Sequence, residues 1–411
     1  MSVHILFLTD NFFPEVNAPA SRTHDHAKQW VKAGHRVTII TCVPNFPIGK
    51  VFDGYKNKLW QTEMVDDIRV IRVWSYIAAN EGFAKRLFDY LSFMITSFLA
   101  SFLIRRIDVV VGTSPQFFTA VSAWLIAEFK RKPFVFELRD LWPDSIRAVG
   151  AMQESKVLDL IEKLELFLYR RADRIISVTH SFKANLENRG IDGNKIDVVT
   201  NGVDTTKFKF KKKNHKLKEQ LGLTGKFIAG YIGTHGLAHG LETILSAAKI
   251  TSENIHGTNI HYLFLGDGAE KNKLLQFKSD LRLNNVTFLD TVPKSEVVEY
   301  WSILDVSIIN LINKDLFKAV IPSKIFESMS MGVPVLHTIL GESAEIVKQM
   351  GIGVVIEPES PTEMAGELIN LYLDPLALTS FSRNGQRAAA GFDRKNLAHD
   401  MLSVLERVTK K

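Results

Sequence analysis

The sequence predicts an α/β protein made of two doubly wound, Rossmann-like domains that face a central cleft. Apolar runs of strand length alternate with longer amphipathic segments along the chain, which is the order typical of βαβ units. The 411 residues exceed the roughly 250–300 that one hydrophobic core usually serves. The two halves show no internal sequence repeat. We therefore expect two separate domains of the same general architecture.

Composition favours a globular protein with small anionic partners. Hydrophobic residues make up 46% of the chain and charged residues 23%, and the formal net charge is +6. This surplus suits nucleotides or an acidic membrane, and it does not by itself indicate nucleic acid. Cys42 is the single cysteine, so an internal disulfide is excluded and a reducing compartment is expected. The run Val3–Leu8 resembles a first core strand and not a signal peptide, which predicts a cytoplasmic protein.

The first βαβ unit spans the strand at 3–9, a loop, a helix that Ser21 or Thr23 can cap, and the strand at 36–42. Ligands of such sheets bind at the carboxyl ends of the strands. The amides that follow the first strand, at Asn17 and Ala18, are therefore candidates to face a phosphate. As structure alone, the loop is a long crossover.

A second candidate cluster follows the predicted strand at 133–138. Arg139 and Asp140 come directly after the strand, and Asp144 lies one turn further. An arginine here could stabilise a departing anion. A structural ion pair of Arg139 with Asp140 or Asp144 fits the same pattern. Arg139 and Asp140 are thus the catalytic candidates, with Glu137 beside them.

The segment 83–106 is apolar with basic pairs at both ends, and three interpretations compete. A membrane span needs about 20 apolar residues, but 90–104 supplies only fifteen without charge. A buried core helix is possible. An interfacial helix fits the flanking charges better, because these would lie near anionic headgroups: Lys85, Arg86, Arg105 and Arg106. We expect peripheral membrane contact.

The second half begins with a strand at 226–233 and a glycine-containing loop. Glycines three residues apart resemble a dinucleotide-binding turn, but no acidic residue follows at the end of a second strand about 20 positions on. This match is weak. The loop still supplies candidate ligand-binding residues: Gly233, Thr234, His235 and His239.

The most informative segment is 319–336, which predicts a loop, a short helix and a strand. Pro322 suits the first helical position and Gly332 the left-handed cap. Ser323 and Lys324 follow Pro322, and the free amides there form an anion site with the lysine beside it. Glu327 shares the face of Lys324 and could accept hydrogen bonds from ribose hydroxyls. A surface Lys–Glu pair is the alternative.

Taken together, these motifs resemble the retaining glycosyltransferases of family 4, over nearly the whole chain. The motifs are the first loop, Arg139-Asp140-Leu-Trp-Pro, Asn201-Gly-Val-Asp204 and Pro322-Ser-Lys-Ile-Phe-Glu327. The resemblance implies a GT-B fold with a first domain at 1–204, a nucleotide-sugar domain at 205–393, and a terminal helix at 394–411 returning to the first. It also implies that Glu327 holds the ribose and that Val292 lies against the base.

The sequence differs from the family pattern at several donor-site positions. Ala319 replaces the first Glu of the paired motif, and Arg139 replaces a His near the reacting sugar. Asn17-Ala18 replaces Gly-Gly, while Thr234 and His239 replace an Arg and a Lys that hold the diphosphate. Either the loop amides with His235 and His239 bind the diphosphate here, or Lys324 supplies the charge.

The resemblance further implies what the protein acts on. We expect sugar transfer from a nucleotide-sugar, UDP-linked, to a lipid-linked or oligosaccharide acceptor in bacterial O-antigen or capsule synthesis. Transferases of the N-acetyl-L-fucosamine type are the most similar in motif. No cofactor or metal is expected, and the location is the inner face of the cytoplasmic membrane. The competing hypotheses are a nucleotide-sugar epimerase of similar fold, a non-catalytic membrane scaffold and, more distantly, an NAD oxidoreductase.

Overall fold

The computed structural model describes residues 2–46, 49–77, 83–114, 116–142 and 156–410. The side chains of residues 83, 84 and 157 also lie outside this description, as do Pro143 and Asp144 of the predicted cluster. The chain divides into two compact units. The first contains Met1–Asn201 and Arg394–Lys411, and the second contains Gly202–Asp393. The boundary between the two units therefore lies after Asn201, just before the boundary at residue 204 that the resemblance implies.

The first unit contains a sheet of eight strands within the described residues, in the order β3-β4-β2-β1-β5-β6-β7-β8. All neighbours are parallel except β3, which is antiparallel to β4. The strands are β1 His4–Leu8, β2 Arg36–Thr41, β3 Trp60–Val65, β4 Ile68–Val73, β5 Val109–Thr113, β6 Phe134–Leu138, β7 Arg174–Ser177 and β8 Ile196–Val198. The helices are α1 Ala18–Lys32, α2 Phe83–Ser101, α3 Phe117–Lys130, α4 Lys156–Arg171 and α5 His180–Asn188.

The second unit contains a parallel sheet of six strands within the described residues, in the order β11-β10-β9-β12-β13-β14. This is the standard Rossmann order, in which the direction of winding reverses between β9 and β12. The strands are β9 Phe227–Ile232, β10 Ile260–Leu265, β11 Val286–Leu289, β12 Val306–Ile309, β13 Val335–His337 and β14 Gly353–Val355. The helices are α6 His215–Gln220, α7 Glu242–Glu253, α8 Lys271–Asp280, α9 Val297–Ile303, α10 Lys324–Met331, α11 Glu342–Met350, α12 Pro361–Leu373 and α13 Pro375–Ala389.

These sheets confirm the predicted fold class of two Rossmann-like α/β domains. Most strands are buried along their whole length, because helices cover both faces of the sheets. The edge strand β3 is an exception and was not predicted from the sequence.

The last helix, α14 (Arg394–Thr409), belongs to the first unit. Its apolar face joins the core beneath β1 and β2, with Leu397, Met401 and Leu405 buried. The indole Nε1 of Trp30 on α1 donates a hydrogen bond of 2.8 Å to the carbonyl of Ala398. Burial of the amphipathic face fixes this helix onto the first unit.

Close packing of β5 on α3 makes Gly112 intolerant of a side chain. A Cβ at this position would lie 2.5 Å from the Ala123 Cβ and 2.9 Å from the Ala120 Cα. We therefore predict that Gly112→Ala destabilises the first unit by about 1–3 kcal/mol, the usual cost of overpacking a core. Scanning calorimetry of the full chain measures this.

Gly366→Ala is the matched control. Gly366 lies inside α12 with no atom near its would-be Cβ, so alanine should raise stability by roughly 0.5–1 kcal/mol through helix propensity. If Gly112→Ala and the parent protein have the same melting temperature, β5 and α3 can move apart without loss of stability.

Candidate active site

The two predicted donor-binding segments meet at the carboxyl edge of the second sheet. The loop after β9 lies where the strand order reverses, and α10 begins beside it. Gly233 has φ 143°, and a Cβ there would lie 2.6 Å from Cε and 2.9 Å from Nζ of Lys324. Only glycine permits this approach. Gly233 and Lys324 therefore belong to one site.

Lys324 carries an amine without a carboxylate bonded to it. Its Nζ lies 3.6 Å from the centroid of the Tyr231 ring, a cation–π contact. Within the described residues, this Nζ makes no hydrogen bond or ion pair. Burial lowers the pKa of Lys324 to about 7, and the charge of Glu327 only partly opposes this shift. The side chain is a poorly satisfied cation facing the loop after β9.

The helix that carries Lys324 begins later than the sequence predicts. It starts at Lys324 and not at Pro322, and Ser323 is the cap residue without a side-chain cap hydrogen bond. Pro322 and Ser323 form the preceding turn, whose carbonyls accept hydrogen bonds from the amides of Ile325 and Phe326. The predicted end is confirmed, because Gly332 takes the left-handed conformation. Glu327 is partly buried one turn into the helix.

The two histidines of the loop are electrically neutral at physiological pH. His235 is fully buried, and neither ring nitrogen has a hydrogen-bond partner within the described residues. Burial lowers its pKa to about 4, and the charges of Lys271 and Lys324 add to the shift. Burial and Lys324 lower the pKa of His239 to about 4 as well. Because neither ring is charged, the positive charge beside this loop comes from Lys324 and from Lys271, which is ion-paired with Asp290.

Two residues that hold the loop were missed in the sequence. The Tyr231 hydroxyl donates to the carbonyl of Thr234 at 2.8 Å. The Asn310 side-chain amide donates to the carbonyls of His239 at 2.6 Å and Gly240 at 3.0 Å. Asn310 directly follows β12 in an otherwise apolar run, and this polar residue at a strand's carboxyl end was the available signal.

Val292 lies in the loop after β11. It is partly buried and packs against the hydrophobic cluster that also contains Ile325 and Phe326 of α10. Its contact with the base stays a prediction.

In the first unit, Asn17 caps α1, and neither Ser21 nor Thr23 does. The Asn17 side chain accepts from the Ala20 amide at 2.9 Å, and its carbonyl accepts from the Ser21 amide at 3.0 Å. Ala18 is the first helical residue, and Pro19 has no amide hydrogen. The amides of Ala20 and Ser21 are thus engaged in capping, and the contact of the Asn17 and Ala18 amides with a phosphate stays a prediction.

Arg139 and Asp140 lie at the carboxyl end of β6. Their amides donate to the Ser114 hydroxyl at 2.9 and 3.4 Å. Nε and Nη1 of Arg139 are buried and have no hydrogen-bond partner within the described residues. Burial lowers the pKa of Arg139 to about 10, with Glu137 opposing and Arg22 adding to the shift. The guanidinium therefore stays charged at neutral pH.

Arg22 is the first unit's principal missed residue. Its Nε donates to the Glu137 carboxylate at 3.0 Å, and both side chains are almost fully buried. Its other nitrogens donate to the carbonyls of Thr200 at 2.6 Å and Val199 at 3.0 Å. No local pattern marks this pair, because its members are 115 residues apart.

Asp10 and Asp89 form a second feature that the sequence did not reveal. Burial and the charges of Asp89 and Glu15 together raise the pKa of Asp10 to about 8. Burial also raises the pKa of Asp89 to about 7, against the opposing charge of Arg86. A carboxyl protonated at neutral pH can donate a hydrogen bond to a hydroxyl. This pair lies where β1 ends.

Helix α2 presents an apolar face to solvent. One side of the helix is buried, because Phe93, Ser97 and Ala100 lie in the interior. The other side is exposed and carries apolar residues. The exposed apolar residues, between 44% and 68% accessible, are Phe88, Ile95, Leu99, Phe102, Leu103 and the neighbouring Phe129 of α3. We call these six residues the α2 patch. Exposed basic residues flank it: Lys85, Arg86, Arg105, Arg106, Arg131 and Lys132.

The described residues contain neither a candidate membrane span nor a candidate metal site. None of the helices there is long and apolar enough to cross a bilayer. No group of three or more His, Cys, Asp or Glu side chains in those ranges has an arrangement that could hold a metal ion.

Two Rossmann-like units with a cation at the switch point of the second are typical of proteins that bind nucleotides. The chain belongs to the glycosyltransferases: residues 20–207 match Glycosyltransferase Family 4 and residues 212–388 match Glycosyl transferases group 1. A colanic acid biosynthesis glycosyl transferase of Escherichia coli, WcaI, is 23% identical over 97% of this chain and 98% of its own.

Solved structures share the fold. Sucrose-phosphate synthase from Thermosynechococcus elongatus has a TM-score of 0.78 at 15% identity, covering 99% of both chains. Anabaena Alr3699/HepE, solved in complex with UDP, has a TM-score of 0.72 at 18% identity, covering 99% of this chain and 100% of its own. The fold and the transferase class predicted from the sequence are thus confirmed.

The amine of Lys324 predicts a specific dependence of stability on pH. The folded chain loses this proton near pH 7 and the unfolded chain near its ordinary value of 10.5. Between these two pH values the unfolded state binds more protons than the folded state does. The free energy of unfolding therefore rises with pH through that window, because the cost of burying the charged amine of Lys324 falls. We predict that Lys324→Met raises the melting temperature at pH 7 by at least about 2 °C and flattens this slope.

Lys348→Met is the control, because Lys348 is exposed on α11 and should leave both quantities unchanged. A lower melting temperature for Lys324→Met, with the pH slope retained, would mean that the amine is well satisfied in the fold.

Proposed function

We propose that this glycosyltransferase moves a sugar, with retention of configuration, from a UDP-linked donor to a lipid-linked saccharide. The process would be the assembly of a bacterial surface polysaccharide such as O-antigen or capsule. The proposed donor-binding site rests on the close approach of Lys324 to the Gly233 loop at the switch point. The match to WcaI over nearly the full chain supports the polysaccharide class.

In this proposal Lys324 replaces the usual cation pair of the loop. A nucleotide diphosphate needs positive charge, and neutral His235 and His239 supply none. Lys324 pairs with the diphosphate, while the rings of the two histidines offer hydrogen bonds. Glu327 accepts from the ribose hydroxyls, and the loop carrying Val292 lies by the base. UDP in the complex of Alr3699/HepE supports uridine as the first candidate.

Catalysis requires stabilisation of the diphosphate as it leaves, which is an electrostatic task. We expect Lys324 and the amides of Ser323 and Lys324 to perform it without a metal. Arg139 and Asp140 remain the proposed residues beside the reacting sugar. An epimerase would use the same donor site, so demonstrating dependence on an acceptor is essential.

The donor site can be tested by thermal shift with UDP-, GDP- and dTDP-sugars, including UDP-N-acetyl-L-fucosamine. At about 100 times Kd, the correct donor should stabilise the protein by roughly 2.7 kcal/mol. Glu327→Ala should weaken binding about tenfold or more, since a hydrogen bond to a charged group contributes about 1.5–3 kcal/mol.

Glu345→Ala is the matched control, because Glu345 is exposed on α11. If only a GDP- or dTDP-sugar stabilises the protein, the donor is not UDP-linked. If none of the nucleotide-sugars stabilises it, the proposed donor site is wrong. Release of UDP that does not depend on an added saccharide would favour hydrolysis or epimerisation over transfer.

We also propose that the α2 patch binds an anionic membrane surface peripherally. Its apolar side chains project into solvent, and the basic residues beside it complement anionic headgroups. Each basic residue near such a surface contributes about 1 kcal/mol. A lipid surface satisfies both features of the patch at once. The acceptor lipid would then be reached without a membrane-spanning helix.

Flotation with vesicles checks this contact. The protein should bind vesicles of phosphatidylglycerol and phosphatidylcholine at low salt, and pure phosphatidylcholine far less. The double variant Leu99→Glu/Leu103→Glu should lose at least about tenfold in binding, because two apolar contacts become charges that anionic lipid repels.

The matched variant is Leu376→Glu, which changes an exposed leucine of the second unit. If both variants bind as the parent protein does, the α2 patch is not the membrane contact.

A further inference from the structure

The guanidinium of Arg139 is incompletely satisfied by the protein. Its backbone is fixed, because the amide donates to the Ser114 hydroxyl. Its Nε and Nη1 are shielded from solvent and lack partners within the described residues. Each buried donor left unpaired costs about 1–3 kcal/mol, and more when the group is charged. A buried unpaired donor of this kind calls for a partner that the protein does not provide.

The buried carboxylate beside Arg139, that of Glu137, is already engaged by another arginine. It accepts a hydrogen bond from Nε of Arg22 at 3.0 Å. Burial opposes ionisation of Glu137, yet the Arg22 and Arg139 guanidinium groups hold its pKa below its ordinary value. Arg22 and Arg139 thus both face one ionised carboxylate, whose ion pair is with Arg22.

The neighbouring histidine does not change this balance. His26 is buried on α1, and burial together with Arg22, Arg394 and Arg139 keeps its pKa well below its ordinary value. A neutral imidazole adds no charge, and its Nε2 is also without a partner within the described ranges. Arg139, at the carboxyl end of β6, is therefore the arginine of this group whose Nε and Nη1 lack a partner within the described residues.

The missing partner must be an anion with several acceptor oxygens. The guanidinium group is planar and always charged, and its donors match phosphate and carboxylate geometry. In the proposed function, Lys324 of the second unit pairs with the diphosphate of the donor. We propose that Arg139 binds a second anionic group, a phosphate or a carboxylate, carried by the acceptor. This inference rests on the proposed function for the identity of the acceptor, but not for the anion site.

The site is tested on the full chain with inorganic phosphate as the probe, by calorimetric titration after saturation with UDP. We expect phosphate to bind the parent protein and Arg139→Gln to bind it about tenfold more weakly or worse. Arg139→Lys should keep part of the affinity. Arg36→Gln, on an exposed arginine of β2, should match the parent protein.

Melting temperature without ligand separates binding from a structural role. The Glu137 carboxylate has one oxygen, Oε2, without a partner, and a rotated Arg139 could pair with it. In that case Arg139→Gln would melt lower than the parent protein. If Arg139 is held for a ligand, the uncharged variant melts at the same or a higher temperature.

Equal phosphate binding by Arg139→Gln and Arg36→Gln, or no binding by the parent protein, overturns the proposal. UDP binding is recorded on the same samples, so failure of the donor site is seen separately. Competition by farnesyl phosphate assigns the anion to a lipid phosphate, and competition by glucuronate assigns it to an acidic sugar.

Discussion

The buried ion pair of Arg22 with Glu137 is the interaction on which the first unit depends. It joins α1 to β6, and the remaining nitrogens of Arg22 hold the carbonyls of Val199 and Thr200, directly after β8. Removing one member of a buried pair costs about 3–5 kcal/mol, because the other charge stays unpaired. The same pair occupies the carboxylate that Arg139 would otherwise bind. A structural bond therefore leaves a neighbouring cation available for a ligand.

Parallel topology explains why so many of the polar groups lie at one edge of each sheet. Strands buried on both faces carry few charged side chains, and those few are paired as Glu137 of β6 is, so most charges collect where the strands end. Arg139 follows β6, Asp10 follows β1, and Asn310 follows β12. Lys324 reaches the same edge of the second sheet from the start of α10. The winding reversal between β9 and β12 opens the space that this lysine faces.

The sequence could predict what short-range patterns encode. Apolar runs and turn residues located most strands, and Gly332 marked the end of α10. Strand β3 was missed because its faces are polar and its hairpin turns at Asp66 and Asp67, which adopt φ of 48° and 63° without a glycine. The pair of Arg22 and Glu137 was missed because its members meet only in the fold. The shifted pKa values of the buried histidines could not be predicted either, since burial is a property of the packed structure.

Lys324 and Arg139 share one physical condition. Each is a cation held against the interior without a carboxylate hydrogen bond, and each therefore lowers the stability of the unliganded protein. An anion that binds only the folded state repays that cost in proportion to its affinity. Nearby carboxylates do not compete, because Glu137 is bound to Arg22 and Glu327 lies one turn beyond the amine. Ligand binding therefore explains the presence of two unfavourable charges better than stability does.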